Sequence, residues 1–248
     1  MLLNGKNAII YGGGGSIGGA IARAYAGQGA RIFLAGRTPA TLKAVGDPIG
    51  AETAEVDALD ERAVDEHADA VAATAGSIDI SVNVIADSDV QGTAMTRMAL
   101  DDYLSPVVTS VRAKFLTSRA AARHMIPRRS GVILFFGGEG DRAAHRKYPL
   151  GGLLTGFDAI EAMRRQLASE LGEHGIRVVT LRTGGVPEAI PAGFAGRAAI
   201  EADLRAQTLL GRTATLEDVG HVAVFAASDW ARTITGAALN MTCGAVLD

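Results

Sequence analysis

The chain has 248 residues, 48% of them hydrophobic, and no shift in composition marks a second domain, so we expect one domain over residues 1–248. Acidic and basic residues are interspersed and the formal net charge is −3, which argues against a nucleic-acid partner. The one cysteine cannot form an intramolecular disulfide, and the five histidines lack metal-ligand spacing, so no metal is expected. Neither a signal peptide nor a long apolar run occurs, which predicts a cytoplasmic protein without a membrane anchor.

Short apolar runs alternate along the chain with longer segments of helical period, which is typical of successive βαβ units. The predicted strands cover residues 7–11, 31–35, 54–56, 78–85, 131–136, 177–181 and 238–241. The predicted helices cover residues 17–27, 38–45, 61–75, 100–124, 156–171 and 216–227. This order predicts an α/β fold with a doubly wound, seven-stranded parallel sheet in a single domain, a Rossmann fold.

Three features mark boundaries in the second half of the chain. Gly175 predicts a helix end just before it, and Thr215, followed by acidic residues, predicts a helix start. The segment 187–212 interrupts the alternation with prolines, glycines and one short helical pattern. Doubly wound sheets bind ligands at the carboxyl ends of their strands, so we expect this segment to cover that end as a substrate lid.

A glycine-rich run, residues 12–19, joins the first predicted strand to the first helix. Without β-carbons the backbone can turn sharply and approach a pyrophosphate, which then faces the free N–H groups of the helix. Gly13, Gly15 and Gly18 fit the pattern G-x-G-x-x-G. A flexible loop is the alternative, but the order of strand, turn and helix favours a dinucleotide site.

Arg37 and Asp57, which follow the second and third predicted strands, bear on which dinucleotide binds. Arg37 stands where NAD-binding proteins carry a carboxylate for the ribose, and its guanidinium can pair with a 2′-phosphate. This favours NADP(H) over NAD(H), although an ordinary surface arginine is the alternative. Asp57 follows the third strand, where it can accept a hydrogen bond from the adenine amino group or serve as a turn residue.

Together with the glycine turn, several segments resemble the short-chain dehydrogenase/reductase family over nearly the whole chain. They are Asp57, 78–83, 174–178, 211–212, 217–219 and the C-terminal stretch 227–244. The resemblance implies an NAD(P)-dependent oxidoreductase acting on a small carbonyl or alcohol substrate. It also implies a homo-oligomer, a dimer or homotetramer, formed through the helices 100–124 and 156–171 and the C-terminal segment.

The resemblance also implies which residues contact the cofactor: Gly12, Gly14, Gly15, Ser16, Ile17, Arg37, Asp57, Ala58, Asn83, Ile85, Ala86, Gly184 and Val186. Ser16 replaces a family glycine, and its hydroxyl can cap the helix or donate to a phosphate; Ser16 with Ile17 is similar to the enoyl reductase branch. Asn83 is expected to brace the sheet and the adenosine side. The stretch 183–186 keeps two glycines where the family has Pro-Gly, and a plain turn is the alternative.

The catalytic residues of the family are missing. Its serine, tyrosine, lysine and asparagine correspond here to Gly138, Leu153, Phe157 and Ser110. No shift of register restores the spacing of the tyrosine and the lysine. The family chemistry needs a phenol whose pKa is lowered by an adjacent cation, and none of the four residues supplies it.

Tyr148, beside Lys147 and His145, is the candidate replacement acid, and a solvated charged loop is the alternative interpretation. We therefore expect an NADP(H)-dependent oxidoreductase with an atypical active site. The alternative is a catalytically silent dinucleotide-binding protein that acts as a redox sensor or as the partner of an active relative. Non-redox chemistry such as a dehydration is a third possibility.

Overall fold

Seven parallel strands form one sheet in the computed structural model, which describes residues 1–138 and 148–247. The strands are β1 (Asn7–Tyr11), β2 (Arg31–Gly36), β3 (Glu52–Glu55), β4 (Ile80–Asn83), β5 (Gly131–Gly138), β6 (Ile176–Thr183) and β7 (Ala237–Asn240). The helices in the described residues are α1 (Ser16–Gly27), α2 (Pro39–Gly46), α3 (Glu61–Ala75), α4 (Leu100–Met125), α5 (Gly152–Leu171), α6 (Arg197–Ala206) and α7 (Leu216–Ala227). The predicted α/β fold with a seven-stranded parallel sheet is confirmed.

Alternate side chains of each central strand enter two separate cores, one on each face of the sheet. Along β1, Ile9 and Tyr11 pack in the core that α3, α4 and α5 cover. Ala8 and Ile10 pack in the other core, beneath α1, α2 and α7. Because both faces are covered, the inner strands are mostly apolar, as is typical of parallel sheets.

The strand order is β3-β2-β1-β4-β5-β6-β7, so the winding reverses between β1 and β4. The loops that follow these two strands leave the sheet in opposite directions and open a crevice at its carboxyl edge. The glycine turn follows β1, and Asn83 ends β4. The predicted dinucleotide site therefore lies at the point where such sheets bind ligands.

Three predicted boundaries are wrong for physical reasons. Strand β3 begins at Glu52 and not at residue 54, because the edge strand pairs with β2 through polar residues that lack the expected apolar pattern. Strand β4 ends at Asn83, whose side-chain oxygen accepts from the Ile85 amide and turns the chain out of the sheet. Helix α5 begins at Gly152, one turn before the predicted start.

Other boundary signals are confirmed. Gly175, with φ of +70°, follows the short 3-10 turn Gly172–His174 that ends the α5 region. Thr215 accepts from the amide of Asp218, whose carboxylate accepts from the amide of Thr215, so a capping box starts α7. In the described part of the chain, no helix is long and apolar enough to cross a membrane.

Candidate cofactor and active site

The glycine turn between β1 and α1 is packed so closely that side chains do not fit at several positions. Gly12 has φ of +86°, and a β-carbon there would lie 2.7 Å from the carbonyl oxygen of Val84 in the loop after β4. A β-carbon at Gly18 would overlap the carbonyl oxygen of Gly12. The amides of Gly12 and Gly13 donate to the carbonyl of Ala35, at 2.8 and 3.2 Å. The turn is thus held against β2 and β4 as an ordered cradle.

The first turn of α1 presents its amides to solvent. Gly15 is the N-cap, and the first intrahelical bond runs from the Gly19 amide to the Gly15 carbonyl. Within the described residues no side chain caps this helix, and its first turn carries no acidic residue. The hydroxyl of Ser16 therefore does not cap α1, because Ser16 is the first helical residue and not the N-cap. Free amides and a positive helix end are suited to an anion.

The residues expected at the adenosine side lie at the carboxyl ends of β2 and β3. Arg37 follows β2 directly and is exposed, with no ion pair to another described residue. Asp57 is also exposed, and one of its carboxylate oxygens accepts from the Leu59 amide at 3.0 Å, so it forms a local turn. None of the described residues donates a hydrogen bond to its second carboxylate oxygen. Ala58, next to it, is buried in the core.

The end of β4 carries a buried asparagine that fixes the neighbouring loop. The amide nitrogen of Asn83 donates to the hydroxyl of Thr117 on α4 at 3.0 Å, and its oxygen accepts from the Ile85 amide at 3.2 Å. Asn83 thus braces β4 against α4. Ile85 is half-buried, and Ala86 is exposed at the crevice.

The end of β6 forms a tight turn that contacts α6. The hydroxyl of Thr183 accepts from the Gly185 amide at 2.8 Å, and Val186 is buried. Gly185 has φ of +129°, and a β-carbon there would lie 2.8 Å from a methyl carbon of Leu204. The segment that contains α6 therefore rests against the turn after β6, and Gly184 is part of this turn.

Three of the family's four catalytic positions, Gly138, Leu153 and Phe157, lack polar side chains. A β-carbon on Gly138 would lie 2.9 Å from the ring of Phe157, so a serine at 138 would require that ring to move. Leu153 is buried on α5. The loss of the serine at position 138 and the loss of the lysine at position 157 are related, because the ring of Phe157 lies next to Gly138.

Tyr148, the candidate acid, is 48% exposed and lies beside Gly92 in the loop after β4. The chain is held there by the amide of Gly92, which donates to the carbonyl of Pro149 at 2.8 Å. His145 and Lys147, named with Tyr148 from the sequence, lie outside the described residues.

A buried polar cluster on α4 is absent from the sequence-based expectations. The ammonium of Lys114, 1% exposed, donates to the hydroxyl of Ser110 at 3.2 Å and lies 3.9 Å from a carboxylate oxygen of Asp87. Burial lowers the pKa of Lys114 against the opposing charge of Asp87. Burial likewise raises the pKa of Asp87, although Lys114 and Ser110 oppose this. Both shifts favour the neutral forms of the pair.

A family model described as Enoyl-(Acyl carrier protein) reductase matches residues 13–245, nearly the whole chain. The chain belongs to the short-chain dehydrogenase/reductase family. It is accordingly an NAD(P)-dependent oxidoreductase, which confirms the enzyme class predicted from the sequence.

Similar proteins agree with this membership. Secoisolariciresinol dehydrogenase of Forsythia intermedia is 30% identical over 94% of this chain and 86% of its own length. Galactitol 2-dehydrogenase (L-tagatose-forming) of Cereibacter sphaeroides is 29% identical over 98% and 95%. The crystal structure of a short-chain type dehydrogenase/reductase from Mycobacterium marinum superimposes with a TM-score of 0.86 at 26% identity, covering 99% of this chain and 97% of that one.

The cradle of this short-chain dehydrogenase/reductase fits the diphosphate of an NAD(P) cofactor. Gly12 and Gly18 pack so closely against neighbouring backbone that neither can carry a side chain, which holds the turn in one compact shape. The amides at the start of α1 are aimed into the same crevice, and no carboxylate in that turn opposes an anion. The chemistry of these donors matches a dinucleotide.

Proposed function

We propose that this chain is an NADP(H)-dependent oxidoreductase that interconverts a small ketone and its alcohol with an atypical proton donor. The observation that carries the cofactor choice is Arg37. It lies at the carboxyl end of β2, exposed and without an ion pair in the described residues, where a carboxylate would select NAD(H). A guanidinium can form a forked, charge-assisted pair with a 2′-phosphate.

Different residues of the crevice bind different parts of the cofactor. Gly12, Gly14 and Gly15 with the amides of Ser16 and Ile17 bind the diphosphate. Asp57 and Ala58 line the adenine, while Asn83, Ile85 and Ala86 line the adjoining ribose. Gly184 and Val186 orient the carboxamide of the nicotinamide. The bound cofactor supplies a hydride at nicotinamide C4.

The segment 187–212 is the proposed lid of the substrate pocket. Its helix α6 contacts the turn after β6 through Leu204 and Gly185, beside the proposed nicotinamide site. Closure there excludes water from the reacting atoms. Tyr148, half-exposed across the crevice, is the candidate proton donor from the sequence. The name of one similar protein, galactitol 2-dehydrogenase (L-tagatose-forming), supports a secondary alcohol and its ketone as the substrate class.

The cofactor proposal is tested by titration calorimetry with NADPH and NADH. We expect Arg37→Ala to weaken NADPH binding about 10-fold or more and NADH binding less than about 3-fold, because only NADPH carries the 2′-phosphate. Arg31→Ala is the matched control: Arg31 lies at the opposite end of β2 and pairs with Glu52, so both affinities should persist. Equal losses of both cofactors in Arg37→Ala would refute the assignment of Arg37.

The reaction is tested by NADPH turnover on a panel of small ketones, in wild type and in Tyr148→Phe. Turnover by wild type supports the oxidoreductase, and its loss in Tyr148→Phe identifies the phenol as the acid. The loss of four family side chains favours the alternative, a silent dinucleotide-binding protein. Tight NADPH binding without turnover on any substrate would establish that alternative.

The chain is also proposed to form a homo-oligomer, a dimer or tetramer, through α4 and α5. Large apolar side chains are exposed along one face of α4: Leu104, Val108 and Phe115. Their spacing of four and seven residues places them on one stripe of the helix. An exposed apolar stripe of this kind is typical of an association surface.

A further inference from the structure

The cluster of Lys114, Ser110 and Asp87 has unmet polar groups in a buried position. An ammonium has three donors, and the described residues provide Lys114 with one hydrogen bond, to Ser110. The nearest oxygen of Asp87 is 3.9 Å away, beyond hydrogen-bond distance, and that oxygen is buried with no hydrogen-bond partner among the described residues. Burying such groups is costly, so an unmet donor and an unmet acceptor side by side indicate a functional site.

The cluster adjoins the place where the family keeps its catalytic side chains. A β-carbon on Gly156 would lie 3.6 Å from the β-carbon of Ser110, so Ser110 faces α5 directly before Phe157. Asp87 lies in the loop after β4, four residues beyond Asn83 at the carboxyl edge of the sheet. The buried lysine is therefore hydrogen-bonded to the α4 side chain that faces the part of α5 that has lost the family's tyrosine and lysine.

We propose that Lys114 supplies the proton for carbonyl reduction in this chain through the hydroxyl of Ser110, with Asp87 holding the ammonium. The inference rests on the proposed function. In the reduction step the carbonyl carbon accepts a hydride from NADPH, which becomes NADP⁺, and the C=O π electrons move to oxygen. That oxygen takes the proton of the Ser110 hydroxyl, and the hydroxyl takes a proton from Lys114. The neutral amine of Lys114 is reprotonated from solvent beside Asp87, which is 14% exposed.

The electrostatic surroundings of Lys114 suit this role. Burial lowers the pKa of the ammonium, and a weaker hold on the proton makes it a better donor near neutral pH. In the described part of the chain, Asp87 is the one charge that shifts the pKa of Lys114; α3, α5 and β5 add no other. Asp89, in the same loop, acts on Asp87 and raises its pKa.

The titration of Lys114 can be measured in the cofactor-free protein, because the chain has only four lysines: Lys6, Lys43, Lys114 and Lys147. We expect NMR of ¹³Cε-labelled lysines to show one resonance that titrates below the others and disappears in Lys114→Met. Asp87→Asn should move that resonance further down in pH, since it removes the opposing charge. Four lysines that titrate together would overturn the inference.

The kinetic test compares Lys114→Met and Ser110→Ala with Lys6→Met, a lysine at the opposite edge of the sheet. We expect the first two to bind NADPH within about 3-fold of wild type and to reduce ketones about 10²- to 10⁴-fold more slowly, the usual effect of losing a general acid. The rate of Lys114→Met should also lose its dependence on pH. Lys6→Met should match wild type in both respects.

A double variant, Lys114→Met with Asp87→Asn, removes both buried charges and keeps the test valid where the single variant fails to fold. A rate within about 3-fold of wild type in either lysine variant, with an unchanged pH profile, would overturn this inference and leave the proposed function standing. Loss of turnover only in Tyr148→Phe would do the same and assign the proton to Tyr148. NADPH binding without turnover by wild type would remove the proposed function and this inference together.

Discussion

At the scale of single residues, two glycines of α1 differ sharply in the space around them, although both are helical. Gly18 faces the carbonyl oxygen of Gly12, which a β-carbon would overlap, whereas nothing lies within 4 Å of a β-carbon at Gly27. We expect Gly18→Ala to displace the cradle and weaken NADPH binding about 10-fold or more. Gly27→Ala should leave binding unchanged and stabilise the helix by up to about 1 kcal/mol. Calorimetry on both variants is the measurement, and equal affinities would contradict a rigid cradle.

A partly buried histidine on α3 predicts the response of stability to acid. Burial lowers the pKa of His67 from 6.5 to about 4, and its ring packs edge-on against Tyr11 with centroids 5.7 Å apart. Between these values the unfolded state binds the proton and the folded state does not, so the free energy of unfolding falls as pH falls through this window. The loss from this group between pH 7 and pH 5 is about 2 kcal/mol.

His67→Phe keeps the aromatic contact with Tyr11 and removes the proton-binding group. Urea denaturation at pH 7 and pH 5 should show a smaller difference in the free energy of unfolding for this variant than for wild type. His221→Phe, at an exposed position on α7, is the control and should behave as wild type does. The interpretation fails if His67→Phe and wild type lose equal stability.

At the scale of elements, the two threonines that start α2 and α7 allow a matched test of capping. Thr215 completes the capping box of α7, whereas the Thr38 side chain makes no capping bond to the described residues of α2. We expect Thr215→Ala to lower the free energy of unfolding by about 1 kcal/mol and Thr38→Ala to lower it by much less. Chemical denaturation of both variants is the check, and similar losses would show that the capping bond contributes nothing.

The sequence predicted elements whose pattern is local and missed those that depend on contacts between elements. The bounds of α3 and α7 agree with the prediction, because their caps and apolar periods are complete in themselves. The start of α5 was missed because glycines disfavour helix. Gly152 is nevertheless helical because α5 approaches α4 so closely that a β-carbon there would overlap the Tyr103 carbonyl.

In the candidate site, too, the residues set by local sequence were predicted and those that depend on contacts between elements were missed. The glycine turn and Arg37 are contiguous with their strands, so their place at the crevice followed from the chain order alone. Lys114 was missed because its partner Asp87 lies in a different element, 27 positions earlier in the chain. One signal was available: Ser110, Lys114 and Thr117 recur at helical spacing on the buried face of α4. A lysine on such a stripe is rarely buried without a partner.

At the scale of the whole molecule, the two cores cover both faces of the sheet, but neither buries the apolar side chains on the outer face of α4. Its inner face packs on the sheet and on α5, while Val108, 53% exposed, and Phe115, 47% exposed, point away from both cores. These residues contribute little to a single folded chain. Their burial in a second copy would remove apolar area from water, which favours association.

This argument predicts the effect of a single charge on assembly. We expect Val108→Glu to reduce the molar mass in solution from a multiple of 25.5 kDa to the mass of one chain, since a buried carboxylate would lack a partner at the centre of the stripe. Ala44→Glu, at an exposed position of α2 on the other side of the sheet, should leave the mass unchanged. Light scattering with size exclusion measures both. A wild-type mass of 25.5 kDa, or an oligomer that survives Val108→Glu, would show that this stripe does not join subunits.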